Sequence, residues 1–366
     1  MTASTTVAFI GLGLIGGSMA KSIRRTNPDT QILAYTRHIE TLRQAQKEGI
    51  VDIILEGIDE RLSSCDYIFL CTPVSFNAHY LAEIKPYLQK GCILTDVGST
   101  KTSIHKEVTA LGLEETFIGG HPMTGSERTG YNCSTPYLLE NSYYVITPTK
   151  KSDIKNVEKL TDLVTSMGAI PISMDYEEHD YVVAAISHLP HIIASSLVNL
   201  IKDSDSKQGL MKQVAAGGFK DITRIASSSP EMWQQICLTN TKNIASMLEG
   251  YITSLENILT DVKNNEEKAL YCLFETAKDY RDSISDRSLG PIKKEYSIYM
   301  DIIDESGAIS TIAVILAARG INIKNIGIIH NREFEEGVLK IVFYDEKALD
   351  GAWNLLQKHN YTLYKR

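Results

Sequence analysis

Short apolar runs separated by amphipathic stretches fill the first half of the chain. The runs are typical of buried strands, and they lie at residues 7–10, 31–35, 67–70, 92–95, 116–118, 143–146 and 170–172. Stretches with helical spacing separate most of them, for example at residues 78–88 and 154–167. The spacing predicts a doubly wound parallel sheet with helices on both faces, an α/β fold.

After about residue 175 the strand-like runs stop and helical spacing continues. A long helix is predicted to begin at Asp175, and Pro190 should distort it because proline lacks the N–H that a helix interior uses. Between residues 244 and 259 apolar side chains repeat on one helix face, which predicts a helical bundle and a candidate dimer face. Another helix is predicted at residues 266–284.

A polar stretch around residues 285–294 predicts a linker to a third region. Beyond the linker the predicted elements follow the order β-α-β-β-α-β, which is the split βαβ pattern of ferredoxin-like domains. The sequence therefore predicts an α/β domain at residues 1–172, an all-α domain at 173–285 and a small βαββαβ domain at 295–366.

The first predicted strand runs directly into a glycine-rich segment that opens a helix. Gly11, Gly13 and Gly16 form a G-x-G-x-x-G pattern, with Leu14 and Ile15 between the last two glycines. The glycines allow a tight turn, and the free N–H groups at the helix start bind the pyrophosphate of a dinucleotide. Because the motif lies between a strand and a helix, it predicts a Rossmann-type site for NAD or NADP.

The end of the second predicted strand leaves the choice between NAD and NADP open. An acid at this place usually binds the adenosine ribose of NAD, but this chain has Thr36 and Arg37. An uncharged residue followed by arginine is better suited to the 2′-phosphate of NADP. Thr72 and Pro73 follow a later strand, at the sheet edge where such folds bind their ligands.

His121 is the central candidate for catalysis. It lies in Gly-Gly-His-Pro at residues 119–122, directly after a predicted strand, and Pro122 disfavours helical geometry at the histidine. An imidazole fixed at this sheet edge is suited to proton transfer near neutral pH. Ser99, at the end of another strand, would donate a hydrogen bond to a substrate or to His121, or would cap the next helix.

Two further groups of polar residues occur in the helical region. Ser187, His188 and His191 surround Pro190, and the two histidines share a helix face. We expect this pair to line a cleft or to be a hydrogen-bonded core pair, and we expect no metal because no nearby acid completes a ligand set. The second group contains Arg224, whose guanidinium is a bidentate partner for a carboxylate, and Asp221, which either gates Arg224 or forms a plain structural ion pair with it.

Composition narrows the classes of partner and location. The net charge of -8 argues against nucleic acid and anionic membranes as main partners. No uninterrupted apolar run reaches the roughly 18 residues of a membrane span, and the first residues lack a signal-peptide pattern. The six cysteines show no metal or CxxC spacing, which predicts reduced thiols and a cytoplasmic protein.

Five blocks of this sequence, taken together, resemble the prephenate dehydrogenase family. They lie in the family's order at residues 11–18, 96–101, 119–127, 187–191 and 219–226. The last 70 or so residues resemble an ACT-type regulatory module, in which amino acids bind near strand–helix turns. The resemblance implies oxidative decarboxylation of prephenate to 4-hydroxyphenylpyruvate and CO2, with hydride transfer to NAD, in a homodimer that tyrosine inhibits.

The same resemblance implies roles for particular residues. His121 would accept the proton of the substrate hydroxyl, Ser99 would orient His121, and Arg224 would bind a substrate carboxylate. The substrate site would be lined by Ser187, His188, His191, Asp221, Ser228, Trp233 and Glu127. The effector site would include Asp304, Gly307, Asn322, Asn325 and Ile326.

Two alternatives are consistent with the same residues. Arogenate dehydrogenase has the same fold and chemistry but takes a substrate with an alanyl in place of a pyruvyl side chain. A cofactor-bound amino-acid sensor without catalysis is an alternative of another class. The presence of His121, Arg224 and the complete glycine motif argues against the sensor.

Overall fold

The computed structural model describes residues 5–125, 128–284, 296–302, 307–329 and 337–364. The chain divides into two compact units, Met1–Ser283 and Ile284–Arg366. The first unit contains two hydrophobic clusters and the second unit contains a third. Each unit is described separately below.

The first unit begins with a five-stranded parallel sheet. Its strands are β1 (Thr6–Ile10), β2 (Gln31–Tyr35), β3 (Ile53–Ile54), β4 (Tyr67–Leu70) and β5 (Ile93–Asp96), in the order β3-β2-β1-β4-β5. The connections contain α1 (Leu14–Thr26), α2 (Ile39–Lys47), α3 (Asn77–Ile84) and α4 (Thr102–Leu111).

Helices cover both faces of this sheet. Phe9 of β1 packs in one hydrophobic cluster with Met19 of α1, whereas its neighbour Ile10 packs in the other cluster with Leu81 of α3. Successive strand residues point to opposite faces, so an apolar run without alternation is what a doubly covered strand requires. The predicted doubly wound arrangement is confirmed for these five strands.

A smaller sheet follows and corrects one prediction. It consists of β6 (Ile118–Pro122), β7 (Tyr143–Pro148) and β8 (Ile170–Ser173), and a parallel bridge between Leu94 and Phe117 joins it to β5. The spacing predicted parallel strands throughout, but β6 and β7 are antiparallel. No α-helix is formed between them in the part of this connection that the structure describes, whereas α5 (Ile154–Ser166) carries the chain from β7 to the parallel β8.

The rest of the first unit is helical. Its helices are α6 (Tyr176–Val183), α7 (Leu189–Ser204), α8 (Leu210–Val214), α9 (Gly217–Thr223), α10 (Pro230–Thr239), α11 (Thr241–Asn264) and α12 (Glu267–Ser283). Asp175 caps α6 by accepting a hydrogen bond from the N–H of Glu177 at 2.8 Å. Ser229 caps α10, with Pro230 in its first turn, as predicted.

A π-helical turn joins α6 to α7. It covers Ala184–His188, and Pro190 follows in the first turn of α7. Proline has no N–H to donate to the carbonyl of residue 186, and a widened turn accommodates that loss. The predicted distortion near Pro190 is therefore confirmed.

The continuous span Tyr176–Ser204 is long and apolar enough to pass a membrane-span test by length and composition, with a mean hydropathy of 1.5. It also carries the buried polar residues His179, Asp180 and His188, which form hydrogen bonds inside the unit. Buried polar groups of folded domains are hydrogen-bonded in this way.

The last two helices of the first unit expose much of their apolar surface. In α11 only Ile244 is fully buried, while Ile252, Leu255 and Leu259 are about half exposed. In α12, Phe274 is 70% exposed. The apolar stripe predicted on α11 is present, and in a single chain it faces outward rather than into a bundle.

The second unit contains two helices packed on an antiparallel sheet. Its elements are β9 (Tyr296–Ile302), α13 (Ala308–Ala317), β10 (Ile323–Ile329), β11 (Gly337–Phe343), α14 (Glu346–Lys358) and β12 (Leu363–Tyr364), with the strand order β10-β11-β9-β12. Alternate residues of β9, namely Ile298, Met300 and Ile302, are buried with Leu316 of α13 and Leu356 of α14. These elements follow the predicted order.

All six cysteines carry free thiols. Burial raises the pKa of Cys65 and of Cys92 to about 12, so both thiols stay protonated at neutral pH. This agrees with the expectation of reduced, unreactive thiols for these two residues.

Candidate active site

The three glycines after β1 have three different spatial roles. Gly11 has a positive φ of 102°, and its N–H donates to the carbonyl of Tyr35 at 2.7 Å. A Cβ on Gly16 would clash with the carbonyl oxygen of Gly11, so this glycine lets α1 approach the strand. A Cβ on Gly13 would meet nothing within 4 Å, so the backbone there is open to a ligand.

The start of α1, which includes Leu14 and Ile15, suits an anionic group. No side chain caps the helix, and no acidic residue lies in its first turn. Nearby, the hydroxyl Oγ1 of Thr72 is buried and has no hydrogen-bond partner. Unfilled N–H groups and an unsatisfied hydroxyl at the carboxyl ends of β1 and β4 fit a dinucleotide, with Pro73 continuing the same edge.

Arg37 lies at the edge of this region, beyond the end of β2. Its guanidinium carbon is 5.0 Å from the centroid of the Phe76 ring, a cation–π arrangement. Thr36 precedes it, and neither residue offers the two anionic oxygens with which a carboxylate accepts hydrogen bonds from both ribose hydroxyls. The structure therefore leaves a cation, rather than an anion, beside the expected adenosine site.

His121 lies within β6, near its carboxyl end, rather than on a turn after the strand as expected. Gly119 and Gly120, which precede it, allow neighbouring strands to pack closely and do not open the backbone to a ligand. A Cβ on Gly120 would lie 2.5 Å from the hydroxyl of Tyr144 and 2.6 Å from the carbonyl of Asp96, and one on Gly119 would clash with Thr147. Glycine is required here because neighbouring strands press against β6.

A second histidine, which the sequence analysis gave no role, holds His121 in place. Nδ1 of His121 is 2.8 Å from Nε2 of His179, and Nδ1 of His179 is 2.8 Å from the carboxylate of Asp180. His179 and Asp180 are both fully buried. The only local signal in the sequence was an adjacent His-Asp pair on a helix, and its partner is 58 residues away in the chain.

Charge and burial keep His121 neutral. Burial holds the pKa of His121 well below its ordinary value, and any positive charge on His179, Lys101 or His188 lowers it further. Lys101 is itself fully buried and forms an ion pair with Asp96, whose carboxylate also accepts hydrogen bonds from the N–H groups of Gly98 and Gly120. A neutral imidazole is the form that can accept a proton.

Ser99 follows β5 and is partly buried. Among the described residues no hydrogen bond joins it to His121, whose recorded partner is His179. The orienting role that the resemblance implies for Ser99 stays a prediction.

The rings of His188 and His191 both contact the ring of Trp233. His191 stacks on the Trp233 ring with a centroid separation of 3.7 Å, and its Nδ1 donates to the carbonyl of Ser187 at 2.9 Å. Nε1 of Trp233 is buried and has no hydrogen-bond partner. An unsatisfied indole N–H beside two imidazoles offers a donor to a polar ligand.

Arg224 begins a 3-10 turn, Arg224–Ser227, and is exposed. Burial lowers the pKa of His191, and the charge of Arg224 lowers it further, so the two groups are electrostatic neighbours. His191 acts in the same way on His188, and His188 acts on His121. These electrostatic links run from His121 through His188 and His191 to Arg224, and we name the four residues the histidine row (His121, His188, His191 and Arg224).

The other predicted substrate residues are Asp221, Ser228 and Glu127. Asp221 is exposed on α9, one helical turn before Arg224, and Ser228 donates its hydroxyl to the carbonyl of Ile225 at 2.8 Å. Glu127 lies outside the described residues. Among the described residues no group of three or more His, Cys, Asp or Glu side chains is placed to bind a metal ion.

The predicted effector residues are not brought together within one copy of the second unit. Gly307 precedes α13, whereas Asn322 follows it, and ten helical residues rise by about 15 Å. Asn325 and Ile326 lie on β10, and Asp304 lies outside the described residues. Asn322 lines a groove of about 640 Å³ together with Arg319, Lys347 and Lys358.

Both parts of the first unit are similar to domains of one enzyme family. Residues 19–172 match the prephenate dehydrogenase nucleotide-binding domain, and residues 175–276 match the prephenate dehydrogenase dimerization domain. The chain is 39% identical over 343 residues to prephenate dehydrogenase of Bacillus subtilis, with 93% of this chain and 92% of that protein covered.

Solved structures show the same similarity. Prephenate dehydrogenase from A. aeolicus, in complex with hydroxyphenyl propionate and NAD+, superposes with a TM-score of 0.73 at 31% identity, covering 77% of this chain and 99% of that chain. Arogenate dehydrogenase from Synechocystis superposes with a TM-score of 0.69 at 28% identity, covering 77% of this chain and all of that chain.

Proposed function

This chain belongs to the prephenate dehydrogenase family, and from that premise we propose that the histidine row forms its substrate site and that His121 is its catalytic base. The protein is an NAD-dependent oxidoreductase of aromatic amino acid biosynthesis. Its reaction is the oxidative decarboxylation of prephenate to 4-hydroxyphenylpyruvate and CO2. We propose that it acts in the cytoplasm as a homodimer, joined through the dimerization domain that includes the exposed apolar face of α11.

The observation that carries this proposal is the state of His121. Its Nδ1 is engaged by His179, and within the described part of the chain no hydrogen bond is recorded to its Nε2. A buried, neutral imidazole with one nitrogen engaged has a single lone pair left for a proton. That is the requirement for a general base.

The bond changes of the reaction suit such a base. The O–H bond at C4 of prephenate breaks and its proton moves to Nε2 of His121, while the hydrogen on C4 leaves with its electron pair. NAD+, when bound, supplies the acceptor for that hydride. The ring carboxylate then leaves as CO2, its bonding electrons enter the ring, and the oxygen at C4 takes back the proton from His121 as a phenol. With both acids ionised, no net proton is released.

Arg224 is proposed to bind the carboxylate of the substrate side chain. A guanidinium and a carboxylate form two parallel hydrogen bonds, which fix orientation as well as position. His191 and Trp233 present an aromatic surface beside Arg224, and the unsatisfied Nε1 of Trp233 adds a donor. Ser187, His188, Asp221, Ser228 and Glu127 complete the proposed substrate set, and Ser99 is proposed to orient His121.

The cofactor set proposed from this fold includes Gly11, Gly13, Gly16, Thr72 and Arg37. NAD is the cofactor of the family's nucleotide-binding domain in the solved relative. We propose that NADP is also accepted, because the cation of Arg37, which contacts the ring of Phe76, suits a 2′-phosphate better than an acid would.

The test is a direct assay of the purified protein with prephenate and with arogenate, each with NAD and with NADP. We expect prephenate turnover to exceed arogenate turnover, because two relatives that match nearly the whole chain, at 39% and 34% identity, are prephenate dehydrogenases. Arogenate dehydrogenase is the second candidate, and the Synechocystis structure favours keeping it. Turnover of neither substrate, with normal NAD binding, would support a non-catalytic sensor instead.

For the second unit we propose an ACT-type regulatory role with tyrosine as the effector. The βαββαβ order, the glycine before α13 and the polar Asn322 after it support this proposal. Three cations, Arg319, Lys347 and Lys358, and one carboxylate, Asp345, line the groove, and this excess of positive charge suits the carboxylate of an amino acid. Because Gly307 and Asn322 lie at opposite ends of α13, one site using both would need two copies of the unit.

A further inference from the structure

Asp180 accepts hydrogen bonds from three separate donors although it is fully buried. Its Oδ1 accepts from the N–H of Lys101 at 2.7 Å and from Nδ1 of His179 at 2.8 Å, and its Oδ2 accepts from the N–H of Thr102 at 2.8 Å. Burial pushes the pKa of Asp180 upward, but the hydrogen bonds from His179 and the start of α4 outweigh burial, and the pKa lies below its ordinary value. The side chain is therefore a carboxylate.

This carboxylate determines which nitrogen of each linked imidazole carries hydrogen. A carboxylate only accepts, so His179 donates from Nδ1 and presents a lone pair at Nε2. His121 must then donate from its Nδ1 to that lone pair, which leaves the lone pair of His121 on Nε2. Burial, against the hydrogen bond to Asp180, lowers the pKa of His179, so this imidazole is neutral as the assignment requires.

The main-chain carbonyl of Asp180 fixes the tautomer of a third imidazole, that of His188, and this tautomer is opposite to that of His121. This carbonyl accepts a hydrogen bond from Nδ2 of Asn240 at 2.7 Å, which fixes the amide nitrogen of Asn240 toward Asp180. The amide oxygen of Asn240 accepts from Nδ2 of Asn243. The same Nδ2 lies 3.3 Å from Nδ1 of His188, which must therefore be an acceptor. Burial lowers the pKa of His188 to about 4, so the ring is neutral and carries its hydrogen on Nε2.

We propose that Asp180 is a positioning residue that sets opposite tautomers on two imidazoles of the histidine row, an acceptor at Nε2 of His121 and a donor at Nε2 of His188. It acts through His179 on one side and through Asn240 on the other. The site therefore offers one atom that takes the hydroxyl proton and one that donates to a substrate oxygen. This inference rests on the proposed function, because a tautomer matters only if the row binds a substrate.

The arrangement also explains how a base with so low a pKa can work. A proton that reaches Nε2 of His121 makes an imidazolium in a buried site, which burial disfavours. Its Nδ1–H points at His179, whose own Nδ1–H points at the carboxylate of Asp180, so the new positive charge is stabilised through two hydrogen bonds. The proton does not have to leave the site, because it returns to the product.

A structural role alone is the competing explanation. Asp180 joins α6 to the start of α4, so any change there will lower stability. His179 gives a cleaner test. In His179→Gln the side chain still has an amide donor for Asp180 and a carbonyl acceptor for His121, whereas His179→Leu has neither. His105→Leu is the matched control, since His105 is also buried and hydrogen-bonds Thr147 at 3.0 Å outside the histidine row.

The first measurement is direct and needs no turnover. Long-range nitrogen–proton NMR spectra of the full-length dimer labelled with ¹⁵N-histidine report which ring nitrogen carries hydrogen, and His121→Asn and His188→Asn identify the two signals by their loss. We expect hydrogen on Nδ1 in His121 and on Nε2 in His188. Hydrogen on Nε2 of His121 would overturn the proposal.

The second measurement is steady-state kinetics, scaled to the folded fraction. We expect His179→Leu to lower kcat by roughly 10- to 100-fold with the Michaelis constants nearly unchanged, and His179→Gln to recover a large part of that loss. Equal losses in both variants, no larger than in His105→Leu, would assign His179 and Asp180 a structural role only. Absence of turnover in the unmodified enzyme would defeat the proposed function, whereas the spectra would still decide the tautomers.

Discussion

At the scale of the residue, the proposed chemistry depends on one imidazole, that of His121, whose pKa its surroundings lower. A histidine in water titrates at about 6.5 and would be partly protonated at neutral pH. Burial and nearby cationic groups hold the pKa of His121 well below that, so its neutral form persists into acid. The same burial disfavours the protonated form of His121. In the proposal, the hydrogen bonds that link His121 through His179 to the carboxylate of Asp180 offset this cost.

Replacing His121 by Asn should lower kcat by roughly 10²–10⁴-fold with little change in substrate binding, because the acceptor of the hydroxyl proton is lost. In the unmodified enzyme the acid limb of log(kcat/KM) should lie below about pH 6.5, since the depressed pKa keeps His121 unprotonated there. A pH series of initial rates measures both. His359→Asn, at the exposed end of α14, is the control. An acid limb above pH 7, or full turnover in the variant, would contradict this role.

Arg224→Ala should raise the Michaelis constant for prephenate by roughly 10- to 100-fold, the equivalent of losing a charged hydrogen-bonded pair, and should slow turnover far less. Lys220→Ala removes a nearby exposed cation on α9 and should change the constant little. Initial rates over a range of prephenate concentrations separate the two parameters. An unchanged constant in Arg224→Ala would move the carboxylate site elsewhere.

At the scale of the element, the local sequence pattern predicted most of the strands and helix starts that depend on neighbouring residues. Apolar runs located β1, β2, β4 and β5, and the glycine motif located the start of α1, because these features depend on neighbours in sequence. The antiparallel pairing of β6 was not predictable in this way, since strand direction depends on the path of the intervening loop. His179 and Asp180 were missed for the same reason: their partners, His121 and the start of α4, are tens of residues away.

The glycines before His121 show how a strand constrains the proposed catalytic base. A methyl group on Gly120 would meet the hydroxyl of Tyr144 and the carbonyl of Asp96 at about 2.5 Å, and a backbone carbonyl cannot move cheaply. Gly120→Ala should therefore shift β6, lower the unfolding free energy by about 1–3 kcal/mol and reduce kcat by displacing His121.

Thermal unfolding and turnover, measured on the same preparation, test this expectation. Gly57→Ala is the matched control, because the added Cβ would meet nothing within 4 Å and the backbone φ is ordinary. Should Gly120→Ala keep the stability and turnover of the control, the tight packing of β6 would not be what positions His121.

At the scale of the whole molecule, the hydrophobic clusters are separate. The two clusters of the α/β part draw on residues between Val7 and Ala169, and the third lies wholly within β9 to β12 and their helices. A chain that ends at Ser283 keeps the first two clusters, the histidine row and the dimerization domain intact. Catalysis and the proposed regulation by tyrosine should therefore be separable by truncation.

A chain shortened to residues 1–283 should retain prephenate turnover and lose inhibition by tyrosine, because the proposed effector residues Gly307, Asn322, Asn325 and Ile326 are removed while the histidine row remains. The measurement is initial rate against tyrosine concentration for the full and the shortened chain at equal active-site concentration. Phenylalanine serves as the control ligand, since it differs from tyrosine by one hydroxyl. Inhibition that persists in the shortened chain and is overcome by excess prephenate would place tyrosine in the substrate site, where its ring and carboxylate resemble the product. Loss of turnover together with loss of folding, judged by circular dichroism, would show instead that the two units depend on each other for stability.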